Sequence, residues 1–92
     1  MAKLPYDREQ LIEVLLGSTC EITYFDIEAS MNKTRRMTLE FNKIRELNCH
    51  PIGFADAEEA ATYIDGAIQA VDVEEKDWHT FYIDQTIRMS IL

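Results

Sequence analysis

The sequence predicts a small α+β domain, mainly β, with five strands and two helices. Three observations predict it. Short stretches of alternating apolar and polar residues dominate the chain, two Asp-x-x-Gln/Glu spacings each open a short helical repeat, and neither strand–helix–strand alternation nor an internal repeat occurs. With 92 residues, 47% hydrophobic and 28% charged, and only 3 Gly and 2 Pro, the chain has the composition of one folded domain over residues 1–92. Collagen-like repeats, low complexity and wholesale disorder are excluded.

Asp7 and Gln10 have capping-box spacing, and Leu11, Ile12, Leu15 and Leu16 repeat at helical intervals up to Gly17, so an N-terminal helix is expected over residues 6–17. Residues 20–28 are rich in β-formers. Their apolar phase changes from Cys20, Ile22 and Tyr24 to Phe25 and Ile27, which predicts a strand with a bulge near Tyr24 and Phe25. After a polar connection over 29–33, Met37, Leu39 and Phe41 alternate with Arg36, Thr38 and Glu40, completing a first hairpin over 20–41.

Residues 42–68 form an insertion. Residues 41–47 suit a helical turn, Pro51 and Gly53 interrupt regular structure, and Asp56 with Glu59 opens a helix expected at about residues 56–65, between the second and third strands. The C-terminal strands occupy 69–92, with the third beginning at Ile68, a charged turn at 74–77, and alternation of Ile87, Met89 and Ile91 with Arg88 and Ser90 in the last. Period and spacing assign Leu11, Leu15, Ile22, Met37, Leu39, Phe41, Val71, Val73, Phe81, Ile83, Ile87, Met89 and Ile91 to the core. Trp78 and Phe81 fall on opposite faces of one strand, so Phe81 points inward and Trp78 outward, beneath a helix or a partner.

Thr34-Arg35-Arg36-Met37-Thr38-Leu39, and the stretch from Asp72 to Asp84 with its Trp78-x-x-Phe81-x-Ile83-Asp84 core, resemble segments of small bacteriophage proteins with an Sm-like, SH3-type β-barrel, distantly related to WYL ligand-sensing domains. The resemblance covers residues 8–41 and 69–91. It implies a five-stranded small barrel with an N-terminal helix and, here, a helix inserted between strands 2 and 3. It also implies a non-enzymatic phage accessory protein that modulates a host protein, or else an Sm-like or WYL-like binder of RNA or nucleotides. This chain has His79 and Tyr82 where the family usually carries basic residues, which removes charge that an anionic ligand would use.

Seventeen acids against nine bases give a formal net charge of −8. That opposes general nucleic-acid binding and adhesion to anionic lipid. Residues 1–46 hold eight acids and seven bases, whereas 47–92 hold nine acids and two bases, so the C-terminal half is the acidic one. Asp56, Glu58, Glu59, Asp65, Glu74 and Glu75 are therefore the candidate face for a basic partner, with Phe54, Tyr63 and Trp78 as candidate aromatic anchors. The competing reading is an acidic surface kept for solubility, with carboxylates placed favourably at a helix N-terminus. Lys33, Arg35, Arg36, Lys43 and Arg45 form the only basic concentration. They are either an anion-binding set or a solvated hairpin tip whose arginines pair with Glu40 or Glu28.

No Walker glycine loop, G-x-S-x-G elbow or H-E-x-x-H helix is present, and Cys20, Cys49, His50 and His79 lack zinc-site spacing, so no enzyme, metal or cofactor is expected. The cysteines read as reduced residues of one strand and one loop. No apolar run spans a bilayer and residues 1–7 lack a signal-peptide core, which predicts a cytoplasmic protein. The last strand, polar only at Arg88 and Ser90, is a candidate edge for self-association.

Overall fold

The computed structural model describes residues 7–92. Residue 6, at the expected helix start, and the first residues of the chain lie outside the described residues. The order of elements is α1 (Arg8–Gly17), β1 (Thr19–Asp26), β2 (Met31–Thr38), α2 (Phe41–Glu46), α3 (Ala57–Ala61), β3 (Ala67–Asp72), β4 (Asp77–Tyr82), a 3-10 turn (Ile83–Gln85) and β5 (Thr86–Ile91). The result is a mainly β, α+β structure. Among the described residues the α-helices number three rather than the expected two, because residues 41–46 form a helix of their own.

Asp7 caps α1 through a full capping box: its side chain accepts from Gln10 N at 2.9 Å, and Gln10 Oε1 accepts from Asp7 N at 3.0 Å. Leu11, Ile12 and Leu15 are the buried face of that helix. β1 pairs along its whole length with β2, and only four residues make the turn, with Ser30 in the left-handed region at φ 55°. The second strand therefore starts earlier than expected. A register shift between Thr23 and Tyr24, where β1 pairs with β5, marks the expected irregularity one residue from its predicted place.

All five strands run antiparallel to their neighbours in the order β4-β3-β2-β1-β5. The sheet is open: β4 and β5 are its edges and do not pair, so backbone hydrogen bonds do not close a barrel. One core cluster joins Leu11, Ile12 and Leu15 of α1 to Cys20, Ile22, Met37, Ile68, Ala70 and Phe81 of the sheet. A second, on the other face, joins Ile44 of α2 and Cys49 to Val71, with Trp78 packed against it.

Three expected core residues are exposed: Phe41 (68%), Ile87 (51%) and Ile91 (53%). The alternation through β2 ends at Leu39, because Thr38 Oγ1 accepts from Glu40 N at 3.0 Å and the chain turns into α2, leaving Phe41 as its first residue. Ile87 falls at the register shift, unpaired between Thr86 and Arg88. Ile91 pairs with Cys20 on the edge strand, where no further strand covers it. Val73, Ile83 and Met89 are only partly buried. Small residues fill space instead, with Ala60, Ala61, Ala67 and Ala70 all buried where α3 approaches β3.

The inserted helix is shorter than the expected 56–65. Asp56 is its N-cap, accepting from Glu59 N at 2.8 Å, but helix ends at Ala61. Beyond it the guanidinium of Arg8 donates to the carbonyls of Thr62 (3.1 Å), Ile64 (2.7 Å) and Ala67 (3.0 Å), which holds the chain in a non-helical path up to Gly66, itself at φ 74°.

Candidate functional site

The side chains most tightly organised by charge lie on the face of the sheet that carries the larger core, beyond the cover of α1. Arg35 on β2 donates from Nη1 to Asp72 Oδ2 at 2.8 Å and to Glu75 Oε1 at 2.7 Å, and from Nε to the Tyr24 hydroxyl at 2.8 Å. Asp72 ends β3, Glu75 sits in the following turn, and His79 of β4 reaches Glu75 Oε2 with Nε2 at 2.7 Å. The hairpin geometry makes this meeting possible, since Ala70 pairs with His79 and Met37 with Asp72.

Electrostatics follow from these contacts. Burial would raise the Asp72 carboxyl, but hydrogen bonds from Glu75 N, Arg35 and Glu74 N outweigh it and hold the group below its ordinary value. Arg35, followed by His79, lowers Glu75 in the same way, and the two carboxylates together raise the Arg35 guanidinium. Asp72, Glu75 and His79 present ligand atoms within 4.8 Å of one another, a spacing compatible with a metal ion. A guanidinium already stands between the carboxylates, and a metal would have to displace it, so the donor set fits an internal ion pair better than a metal centre.

Beside the network lies a cleft of about 480 Å³ between the β1–β2 turn and β4, bordered by Tyr24, Asp26, Glu28, His79, Phe81 and Tyr82 among others.

The basic set predicted for anions is largely consumed. Lys33 pairs with Asp26 at 3.0 Å, Arg36 lies 3.9 Å from both Glu21 and Glu74, and Lys43 lies 3.7 Å from Glu46. Among the described residues Arg45 makes no ion pair. The expected arginine partners, Glu40 and Glu28, are replaced by residues distant in sequence.

The acidic set divides. Asp56, Glu58, Glu59 and Asp65 are exposed on α3 and its exit, Asp56 acting as cap and Glu59 accepting from Ala55 N at 3.3 Å. Glu74 and Glu75 lie instead against arginines: Glu75 accepts from Arg35 at 2.7 Å, and Glu74, still exposed, lies 3.9 Å from Arg36. Trp78 is likewise no free anchor: it packs on Ile44, Cys49 and Val71, and its Nε1 donates to Cys49 O at 2.8 Å. Phe54 and Tyr63 meet edge-to-face, ring centres 5.1 Å apart, beside α3. Cys20 and Cys49 are buried free thiols, both raised by burial, Cys49 also by the charge of Asp77.

Two organising residues carry no local signal of their roles. By spacing, Tyr24 is only a strand residue and Arg8 only part of a helix start. Their partners lie 11 residues away in the first case and 54 to 59 in the second, beyond any local spacing rule. No family model, curated protein or solved structure matches the chain. No described helix is long and apolar enough to cross a membrane.

Proposed function

We propose that this chain is a non-enzymatic bacteriophage accessory protein of the SH3-type small-barrel class that binds a host protein in the cytoplasm through the acidic surface of α3. One observation carries the reading: Lys33, Arg35, Arg36 and Lys43 are each drawn against carboxylates, whereas Glu58 and Asp65 stand exposed without an ion pair among the described residues. Unpaired surface carboxylates raise the rate of encounter with a basic partner, and the half-buried Phe54 with exposed Tyr63 offers aromatic contact alongside them. The barrel class is supported by a helix ahead of the first strand and by a last strand that returns to pair with the first.

The test is capture from host lysate by the wild-type chain and by Glu58→Lys with Asp65→Lys. The reading requires a partner retained by the wild type and lost by the variant. Equal retention by both would exclude this surface. Binding of RNA or nucleotides, the other reading, requires the paired cations to be freed to act with Arg45. It predicts an affinity for single-stranded RNA that falls steeply between about 50 and 200 mM salt. Self-association through β5 is a further part of the proposal, supported by its exposed Ile87 and Ile91 on a free sheet edge.

A further inference from the structure

The 480 Å³ cleft between the β1–β2 turn and β4 is within the size range of small-ligand sites. Its walls are aromatic. Tyr24 and Phe25 come from the end of β1 and Tyr82 from the end of β4, with Phe25 and Tyr82 exposed, while Phe81, also at the cleft, is buried in the core. Two carboxylates stand on the β1 side: Asp26, kept ionised chiefly by its hydrogen bond with Lys33, and Glu28, which makes no ion pair among the described residues.

The one arginine bordering the cleft, Arg35, shares Nη1 between Asp72 and Glu75, so its charge is more than offset where it stands. An anion entering the cleft would meet Asp26 and Glu28 beside a guanidinium already claimed by two carboxylates. A cation meets Glu28, the one lining carboxylate without an ion pair among the described residues, and aromatic rings, which attract ammonium groups most when the site is partly desolvated.

We propose that this cleft binds an organic ammonium group, an alkylated amine or a lysine side chain, between its aromatic wall and the unpaired carboxylate of Glu28, with the Lys33-paired Asp26 beside it. The site uses none of the residues on α3, so it stands or falls separately from the acidic surface proposed above. It assigns Phe25, Tyr82 and Glu28 a role that the packing of the fold does not require, since all three are exposed.

The experiment is a nitrogen-15 NMR titration at constant ionic strength, with sodium chloride replaced stepwise by choline chloride, so that screening does not change. The neutral isostere 3,3-dimethylbutan-1-ol and sodium acetate are titrated in parallel. Saturable shifts confined to residues 24–28 and 79–82 are expected with choline and not with the alcohol or acetate. Tyr82→Ala should weaken choline binding by about three-fold or more, the size of a partly exposed cation–π contact, and Glu28→Gln by about two- to three-fold through loss of its charge. Both substitutions are at exposed positions, and unchanged Trp78 fluorescence verifies the fold of each variant.

The acetylated, amidated tripeptide Ala-Lys-Ala separates the sources: binding at least as tight as that of choline assigns the cleft to a lysine of a protein, and binding of choline alone assigns it to a free amine. An equal response to the neutral alcohol, a response to acetate in the same residues, or a flat choline titration up to about 50 mM, well above a millimolar Kd, overturns the proposal.

Discussion

Asp72 carries three interactions on one carboxylate. Oδ1 accepts from Glu74 N at 2.9 Å and Glu75 N at 3.0 Å, shaping the β3–β4 turn, while Oδ2 holds Arg35. The Asp72 side chain is 4% exposed and that of Arg35 17%, so removing one partner strands the other in a poorly hydrated place. Asp72→Ala should therefore destabilise the fold by about 3 kcal/mol, measured by urea unfolding, and Asp72→Asn by about 1–2 kcal/mol because an amide oxygen still serves the turn. A pH series adds an independent check. Both Asp72 and Glu75 have folded values below their ordinary 3.8 and 4.5, so the unfolded chain takes up protons first. Their contribution is complete above about pH 4.5 and is lost as pH falls through the lower folded values. The urea midpoint should hold steady above that pH and decline below it, with a shallower decline in Asp72→Ala.

The short helix α3 shows how much an element depends on its ends. Five residues of helix are too few to persist alone, so the N-cap and the handling of the last carbonyls decide its place. Asp56→Ala should cost about 1 kcal/mol by loss of the cap. At the other end Arg8 ties α1 to residues 62–67 with hydrogen bonds to three carbonyls. Arg8→Met is expected to cost about 1–2 kcal/mol. Faster amide exchange over residues 62–67, ahead of global opening, is its local signature. Glu59 holds Ala55 N, so reversing it would mix a capping effect with a change of surface charge. Glu58 and Asp65 are the cleaner positions for a test of binding.

At the scale of the whole molecule, the open sheet leaves two free edges with different character. β5 presents Ile87 and Ile91 with only Arg88 and Ser90 as polar interruptions, a weak guard against pairing with another copy. Sedimentation equilibrium at high micromolar concentration should give a mass above the 10.7 kDa monomer that returns to the monomer in Ile87→Lys with Ile91→Lys. A monomer throughout would remove self-association from the proposal. The formal charge of −8 opposes such pairing at low ionic strength, so added salt should strengthen it.

Local rules made much of this architecture legible. The capping box at Asp7, the cap at Asp56, the irregularity near Tyr24, the five strand positions and the opposed faces of Trp78 and Phe81 all depend on residues within a few positions of one another, where backbone geometry repeats with a known period. The covering of Trp78 by α2 and its following loop was one of two readings the alternation left open, and the packing decided it. Alternation alone says which side of a strand a residue occupies, not whether anything lies over that side. Hence Phe41, Ile87 and Ile91 carry core-like spacing yet stand at a helix start, a bulge and a sheet edge. The candidate site was less legible still. Arg35 reads as a charge at a hairpin tip, and its partners lie 37 and 40 residues onward, joined only when β2 pairs with β3 and the next turn folds back over it. The sequence by itself determined the elements, their caps and the excess of acid over base. Strand register and sheet order, set by tertiary packing, decided which charges were neutralised within the fold and which remained exposed.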